Sequence, residues 1–182
     1  DKYGNIISLG ERECSIQRRH QKIIEEAPSA FLDEKTREKM SQQAIRLAAA
    51  VNYYSAGTVE FVVDKNRNFY FLEMNTRLQV EHPVTEEIFG LDLVAWQIRV
   101  ANGEKLPKTL FNLSPRGHSF EARLYAEDCK NNFLPSPGGP TVFIPKTGRN
   151  IRWEQGLDLI DEVSPQFDPM IAKLICTAET RS

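Results

Sequence analysis

Apolar and polar positions divide the chain into segments of different period. Over residues 33–51, Met40, Ala44, Leu47, Ala48 and Val51 recur at three- and four-residue steps, which lines one face of a helix. Asp33 stands where an N-cap belongs, and Pro28 punctuates the approach. After a turn at Ser55-Ala56-Gly57 the pattern changes. Thr58 to Val63 and Asn68 to Asn75 are rich in β-branched and aromatic residues, with Asp64 to Arg67 as the turn between them, so a hairpin is predicted. Pro83 suits the first turn of a short helix that Gly90 ends. Asp92 can cap a second helix to about Asn102, stopped by Gly103, with Trp96 and Val100 on its buried side.

From Pro107 to Pro115 the pattern dissolves. Short β-like stretches follow at 118–125, 140–145, 150–154 and 170–176, punctuated by Pro135, Pro137, Gly138, Gly139 and Pro140. A boundary is expected near 107–116, before an all-β portion, which divides the chain into 1–106 and 107–182. No internal repeat or low-complexity tract is present.

With 182 residues and 41% apolar content, the chain can bury one core, or one and part of another. Lys plus Arg (23) nearly balance Asp plus Glu (25), so no broad positive field favours a nucleic-acid partner. No apolar run approaches the roughly 20 residues that cross a bilayer, and no membrane association is expected. Cys14, Cys129 and Cys176 are far apart and odd in count, which fits reduced thiols in a cytosolic or organelle-matrix protein. His20, His82 and His118 lack zinc spacing. The first residue is not Met and the chain stops just after the apolar run Met170 to Cys176, so both ends read as cuts from something longer.

The predicted hairpin carries the first candidate chemistry. Glu73 and Asn75 lie two apart on one face of their strand, and a register pairing Glu60 with Glu73 adds a third oxygen donor. Such donors suit Mg²⁺ or Mn²⁺, which complete their shells with water and substrate phosphates. A single outward Glu on a solvated face gives a similar pattern. Directly beyond, Arg77, Gln79 and Glu81 alternate with apolar residues, so an extended chain would place them on the face of Glu73 and Asn75. A guanidinium matches a small planar oxyanion, and a neighbouring carboxylate can take its proton. A polar face turned to water is the competing reading. The basic cluster Arg18-Arg19-His20-Gln21-Lys22 reads by default as a solvated charge run. Gly138-Gly139 lacks Walker spacing and is read as a turn.

The run from Phe71 to Glu86, with Glu73-Met74-Asn75-Thr76-Arg77-Leu78-Gln79-Val80-Glu81-His82-Pro83 at its centre, resembles the signature of biotin carboxylases, the ATP-grasp subunits or domains of acyl-CoA and pyruvate carboxylases. The resemblance extends to Glu13 to Lys22 upstream and Glu121 to Asp128 downstream, and the stretches Asn131 to Leu134 and Phe167 to Leu174 lean towards methylcrotonyl-CoA carboxylase relatives. It implies an α+β fold: the C-terminal part of an ATP-grasp domain, an antiparallel sheet with helices, then the start of the β-rich biotin carboxylase C-terminal domain. It implies metal ligands at Glu60, Glu73 and Asn75, with ATP contacts at those two glutamates, His20 and Gln17. Bicarbonate would be held by Lys22, Arg77, Gln79 and the backbone of Val80, with Glu81 as the base, and Arg123 would stabilise biotin. A surface ion pair of Arg123 with Glu121 is the local alternative.

The implied cofactors are ATP, Mg²⁺ or Mn²⁺, and biotin carried on a partner domain. The implied partners are a biotin carboxyl carrier, a carboxyltransferase and further copies of the same chain, in a bacterial cytoplasm or a mitochondrial matrix. The family's N-terminal domain and glycine-rich lid are not found in these residues, so the isolated chain is expected to be inactive. The rivals are an ATP-grasp ligase of the carbamoyl-phosphate synthetase type, which lacks the Arg-Leu-Gln-Val-Glu-His run, and a non-catalytic module within a carboxylase complex.

Overall fold

A computed structural model describes residues 1–139, 148–156 and 162–182. Its elements run β1 (Glu13–Arg18), β2 (Gln21–Ala27), α1 (Glu34–Ala50), β3 (Thr58–Val63), β4 (Phe69–Asn75), α2 (His82–Phe89) and α3 (Leu93–Ala101). After a 3₁₀ turn at Lys108–Asn112 come β5 (His118–Tyr125), β6 (Glu127–Asp128), β7 (Leu134–Pro135), β8 (Ile151–Gln155) and β9 (Met170–Ala178).

Local chemistry sets these boundaries. Asp33 caps α1 by accepting from the Thr36 N–H at 2.8 Å. Met40, Ala44 and Ala48 of the expected α1 face line a cavity of about 540 Å³ together with Ile45, and Leu47 is half-buried; Val51 departs from that face, 65% exposed just past the helix. Residues of β3 and α3 line the same cavity. Asp64 closes the β3–β4 turn by accepting from the N–H groups of Asn66 and Asn68 and from the Asn68 amide. Pro83 lies in the first turn of α2 and Gly90 ends it in the left-handed conformation. Asp92 caps α3, on which Val100 is buried and Trp96 half-buried.

Five strands form one antiparallel sheet in the order β1-β2-β5-β9-β8, while β3–β4 and β6–β7 are separate two-stranded pairs. Helices beside antiparallel sheets are the expected α+β class. The expected division near residue 107 is crossed by hydrogen bonding, since β2 pairs with β5 from Ile24↔Ala122 to Ala27↔Ser119. The predicted strand at 140–145 lies outside the described residues, and Gly138, expected in a turn, bridges Val163.

Helix α2 lies against β2, β5 and β9, and the apolar core there is small: Ala27, Val84, Ile88, Phe89 and Ile175, flanked by Leu9, Leu91 and Leu113. Around it the interior is charged, with Glu25, Glu81, Glu86, Glu121 and Lys173 all buried. The interior beneath α2 therefore mixes a few apolar side chains with charged ones that must be matched or neutralised.

Gly117 opens β5 at φ +72°, and a Cβ there would stand 2.3 Å from the Ala178 carbonyl oxygen of β9. Gly117→Ala is expected to lower stability by more than about 1 kcal/mol, read as a reduced urea midpoint.

Candidate functional site

Register brings the hairpin acids together. Glu60 and Glu73 are direct cross-strand partners, as are Thr58 and Asn75, with an irregularity just after Glu60. The Asn75 side-chain amide donates to Glu60 Oε1 at 3.2 Å and to Glu73 Oε1 at 3.0 Å. A positive dipole thus stands between two carboxylates, where their charges would otherwise repel. Two carboxylates and an amide are a hard-oxygen set suited to a divalent cation that takes its remaining ligands from water or phosphate. No group of three His, Cys, Asp or Glu side chains among the described residues is placed to hold a metal. The hairpin is therefore a partial site, short of an all-protein cage.

The chain beyond β4 departs from the expected extended course. It bends at Arg77 and turns at Val80 and Glu81 into α2, because the Pro83 helix start and the His82 N–H bond to the Gln79 carbonyl at 3.2 Å reverse its direction. Alternation on one strand face therefore does not explain what gathers there. Arg77 stays exposed, with one N–H on the Leu78 carbonyl at 3.2 Å and another on Asn75 Oδ1 at 3.3 Å. Gln79 and Glu81 turn inward.

Glu81 is 2% exposed and sits between two cations. Lys22 Nζ donates to its Oε1 at 2.8 Å, and Arg123 Nη2 donates to its Oε2 at 3.1 Å. Burial alone would raise the Glu81 carboxyl, but the Lys22 hydrogen bond and the Arg12 charge outweigh it, and the group is held below the ordinary glutamate range. Lys22 also donates to Glu60 Oε1 at 2.8 Å; burial opposes its charge, yet its two carboxylate partners raise its pKa. Gln79 donates to the same Glu60 oxygen at 2.6 Å. Glu60, Glu73, Asn75, Gln79, Glu81, Lys22 and Arg123 thus form one connected array, with Arg77 joined through Asn75. The Val80 carbonyl accepts from Lys173 Nζ at 2.9 Å, which pins the turn to β9.

Arg123 is not in a surface pair with Glu121. Its Nε donates to Glu25 Oε1 at 2.7 Å, and both Glu25 and Glu121 are fully buried. His20 and Gln17 stand apart from the array: His20 is exposed at the tip of the β1–β2 hairpin with φ +66°, and exposed Gln17 faces Lys22 across the strands and donates to the Cys14 carbonyl at 2.8 Å. Arg18 of the basic cluster pairs with Glu127 and stacks on Phe133, 4.1 Å from the ring centroid. The described cysteines are free. Burial, aided by the Glu81 charge, pushes Cys14 up to about 12.

Four contributors escaped the sequence reading. Arg12 bonds Gln79 Oε1 at 2.6 Å, Thr58 Oγ1 at 2.9 Å and Thr85 Oγ1 at 3.0 Å, tying hairpin, turn and helix together. Glu25, Glu121 and Lys173 fill the layer beneath α2. Lys173 had a readable signal, a lone cation inside an apolar strand, and Glu25 closes the otherwise apolar run Ile23-Ile24. Arg12 had none.

Residues 1–109 match the family described as carbamoyl-phosphate synthase L chain, ATP binding domain, and residues 121–182 match the biotin carboxylase C-terminal domain. The chain is 55% identical over its whole length to the mitochondrial methylcrotonoyl-CoA carboxylase subunit alpha of Rattus norvegicus, of which it covers 26%. A biotin carboxylase complex with βγ-ATP from Campylobacter jejuni superposes with TM-score 0.94 at 52% identity, over 100% of this chain and 40% of that one. The bicarbonate-bound biotin carboxylase domain of a thermophilic 2-oxoglutarate carboxylase gives TM-score 0.95 at 49% identity, over 99% of this chain and 41% of that one. The chain therefore spans between a quarter and two fifths of these proteins.

Arg12→Leu removes three hydrogen bonds from a charged donor and leaves Gln79 half-satisfied. The expected loss is about 2–3 kcal/mol, measured by urea denaturation.

Proposed function

The chain belongs to the biotin carboxylase family, and on that premise we propose that it forms the metal, bicarbonate and biotin end of an enzyme that carboxylates carrier-bound biotin at the expense of ATP. One observation carries the reading: Glu81 is buried as a carboxylate between Lys22 and Arg123, and Lys22 links it directly to Glu60 of the hairpin.

Bicarbonate is a poor electrophile and is activated by phosphorylation; for its oxygen to attack the γ-phosphoryl group of ATP and displace ADP, a proton must leave it and charge must be neutralised at the phosphoryl group. In our reading Lys22, Arg77, Gln79 and the Val80 backbone hold the anion, and Glu81 takes its proton. Glu81 is ionised at neutral pH, since its pKa lies below the ordinary range. In this reading Lys22 exchanges its bond to Glu81 for one to the incoming anion, which frees the carboxylate oxygen that accepts the proton. Glu60, Glu73 and Asn75 would hold Mg²⁺ or Mn²⁺, which neutralises ATP phosphates, and Gln17 and His20 would meet the nucleotide from the β1–β2 hairpin. Carboxyphosphate would then break down to CO₂ and phosphate, the phosphate taking the proton from the biotin nitrogen that attacks CO₂, while Arg123 stabilises the developing enolate oxygen of biotin.

We assign residues 1–106 to the ATP-grasp portion and 107–182 to the C-terminal domain, although one sheet joins them. The whole enzyme would work with a biotin carboxyl carrier and a carboxyltransferase, as a homo-oligomer, in a bacterial cytoplasm or a mitochondrial matrix. No helix among the described residues is long and apolar enough to cross a membrane. The carbamoyl-phosphate reading is disfavoured by the biotin carboxylase match over residues 121–182.

In the full-length protein, Glu81→Gln is expected to cut bicarbonate-dependent ATP cleavage at least about 100-fold with Mg-ATP affinity by calorimetry nearly intact; wild-type turnover would refute the assigned base. Arg123→Ala is expected to lower biotin carboxylation about 100-fold more than bicarbonate-dependent ATP cleavage, and equal losses in both assays would remove the biotin role.

A further inference from the structure

Glu121 sits in the middle of β5 with its side chain fully buried, and neither carboxyl oxygen has a hydrogen-bond partner among the described residues. It is directly opposite Glu25 on β2, and Glu25 Oε2 is likewise buried and unpartnered. In an antiparallel pair such side chains start about 4.5–5.5 Å apart. Two residues on, along the same strand face, is Arg123.

The charged groups packed around Glu121 are already committed elsewhere. Arg123 is shared between Glu25 and Glu81. On β9, Lys173 holds Glu154 at 2.7 Å and the Val80 carbonyl. On β8, Arg152 pairs with Glu86, Glu87 and Glu154. From α2 come His82 and Glu86, which face each other at 3.9 Å. An ionised Glu121 would be an uncompensated charge in this layer, and such groups take up a proton instead.

We propose that Glu121 is a positioning residue for the biotin half of the reaction proposed above: as a neutral acid it leaves Glu25 alone to draw on Arg123 from beneath, so the guanidinium keeps Nη2 on Glu81 Oε2. Ionisation of Glu121 would set a second negative charge beneath Arg123 and pull it off Glu81. Burial is the main force keeping the proton on, reinforced by the charges of Glu25 and Glu154 and opposed by Lys173 and Arg123, and it lifts the carboxyl to about 8. The folded pKa exceeds the unfolded one, so the neutral form and the aligned Arg123 persist below about pH 8 and are lost above it.

The test uses the full-length protein and Glu121→Gln, an uncharged isostere. Biotin carboxylation and bicarbonate-dependent ATP cleavage are followed from about pH 6.5 to 9.5, alongside an isotope-edited infrared titration of wild-type glutamate carboxyls. With a midpoint of about 8, wild-type biotin carboxylation is expected to fall about tenfold between about pH 7 and 9. The Gln variant is expected to lose that alkaline fall, and the infrared band of a protonated carboxyl should vanish over the same range. The infrared arm needs no variant to fold. A wild-type enzyme that carboxylates biotin, paired with a Gln variant showing the same alkaline fall, overturns the proposal alone, as does a wild type with no protonated carboxyl near neutral pH. Failure of both proteins to carboxylate biotin at every pH overturns the underlying functional reading and the proposal with it.

Discussion

A carboxylate removed from water must be met by cations, and Glu81 imposes that requirement on everything around it. Its partners come from two strands, Lys22 on β2 and Arg123 on β5, so the carboxylate is matched only when those strands are paired in their observed register. The turn that carries Glu81 must be fixed as well. Arg12 holds it from the chain preceding β1 through Gln79, and Lys173 holds it from β9 through the Val80 carbonyl. Removing one member of such a set typically costs 3–5 kcal/mol, because the remaining charge is left buried and unmatched.

Stability alone does not call for this arrangement. Buried ion pairs are often replaceable by apolar residues of similar volume with no loss of stability. Here the layer between α2 and the sheet holds Glu25, Glu121, Arg123 and Lys173 around an apolar core of a few residues. A layer of that kind makes folding depend on charges being matched, and it delivers those charges, already desolvated and oriented, to the edge of the cavity that Lys22, Glu60, Gln79 and Glu81 line. Charges fixed in advance need no reorganisation when an anion arrives.

Local signals made much of the fold legible. Asp33, Asp64, Pro83, Gly90 and Asp92 each act through hydrogen bonds or backbone angles within a few residues, so their positions could be read from the chain. The Glu60–Glu73 register was readable for the same reason, since a short turn fixes it. The course after Asn75 was not, because alternating polarity suggests a strand, while the chain reverses through the local His82 N–H bond to the Gln79 carbonyl in a turn that Arg12 and Lys173 hold from elsewhere in the chain. The face of α1 was legible through Met40, Ala44 and Ala48, while Val51 fell outside it because the helix ends at Ala50. Arg12 and Glu121 were illegible as contributors and Glu25 was marked only by its place after an apolar pair: Arg12 takes its meaning from Gln79, 67 positions on, Glu25 from Arg123, 98 positions on, and Glu121 from carboxyl oxygens with no hydrogen-bond partner among the described residues.

The seam between β2 and β5 has a consequence for how relatives of this protein can diverge. The stretches matched by two separate families, 1–109 and 121–182, are stitched by a hydrogen-bonded strand pair in which Glu25 faces Glu121. A hybrid that took its first stretch from one lineage and its second from another would inherit strangers at that stitch, with mismatched acids and bases facing each other in the dry interior. Exchange at the sequence junction is therefore constrained by a border that lies elsewhere in space.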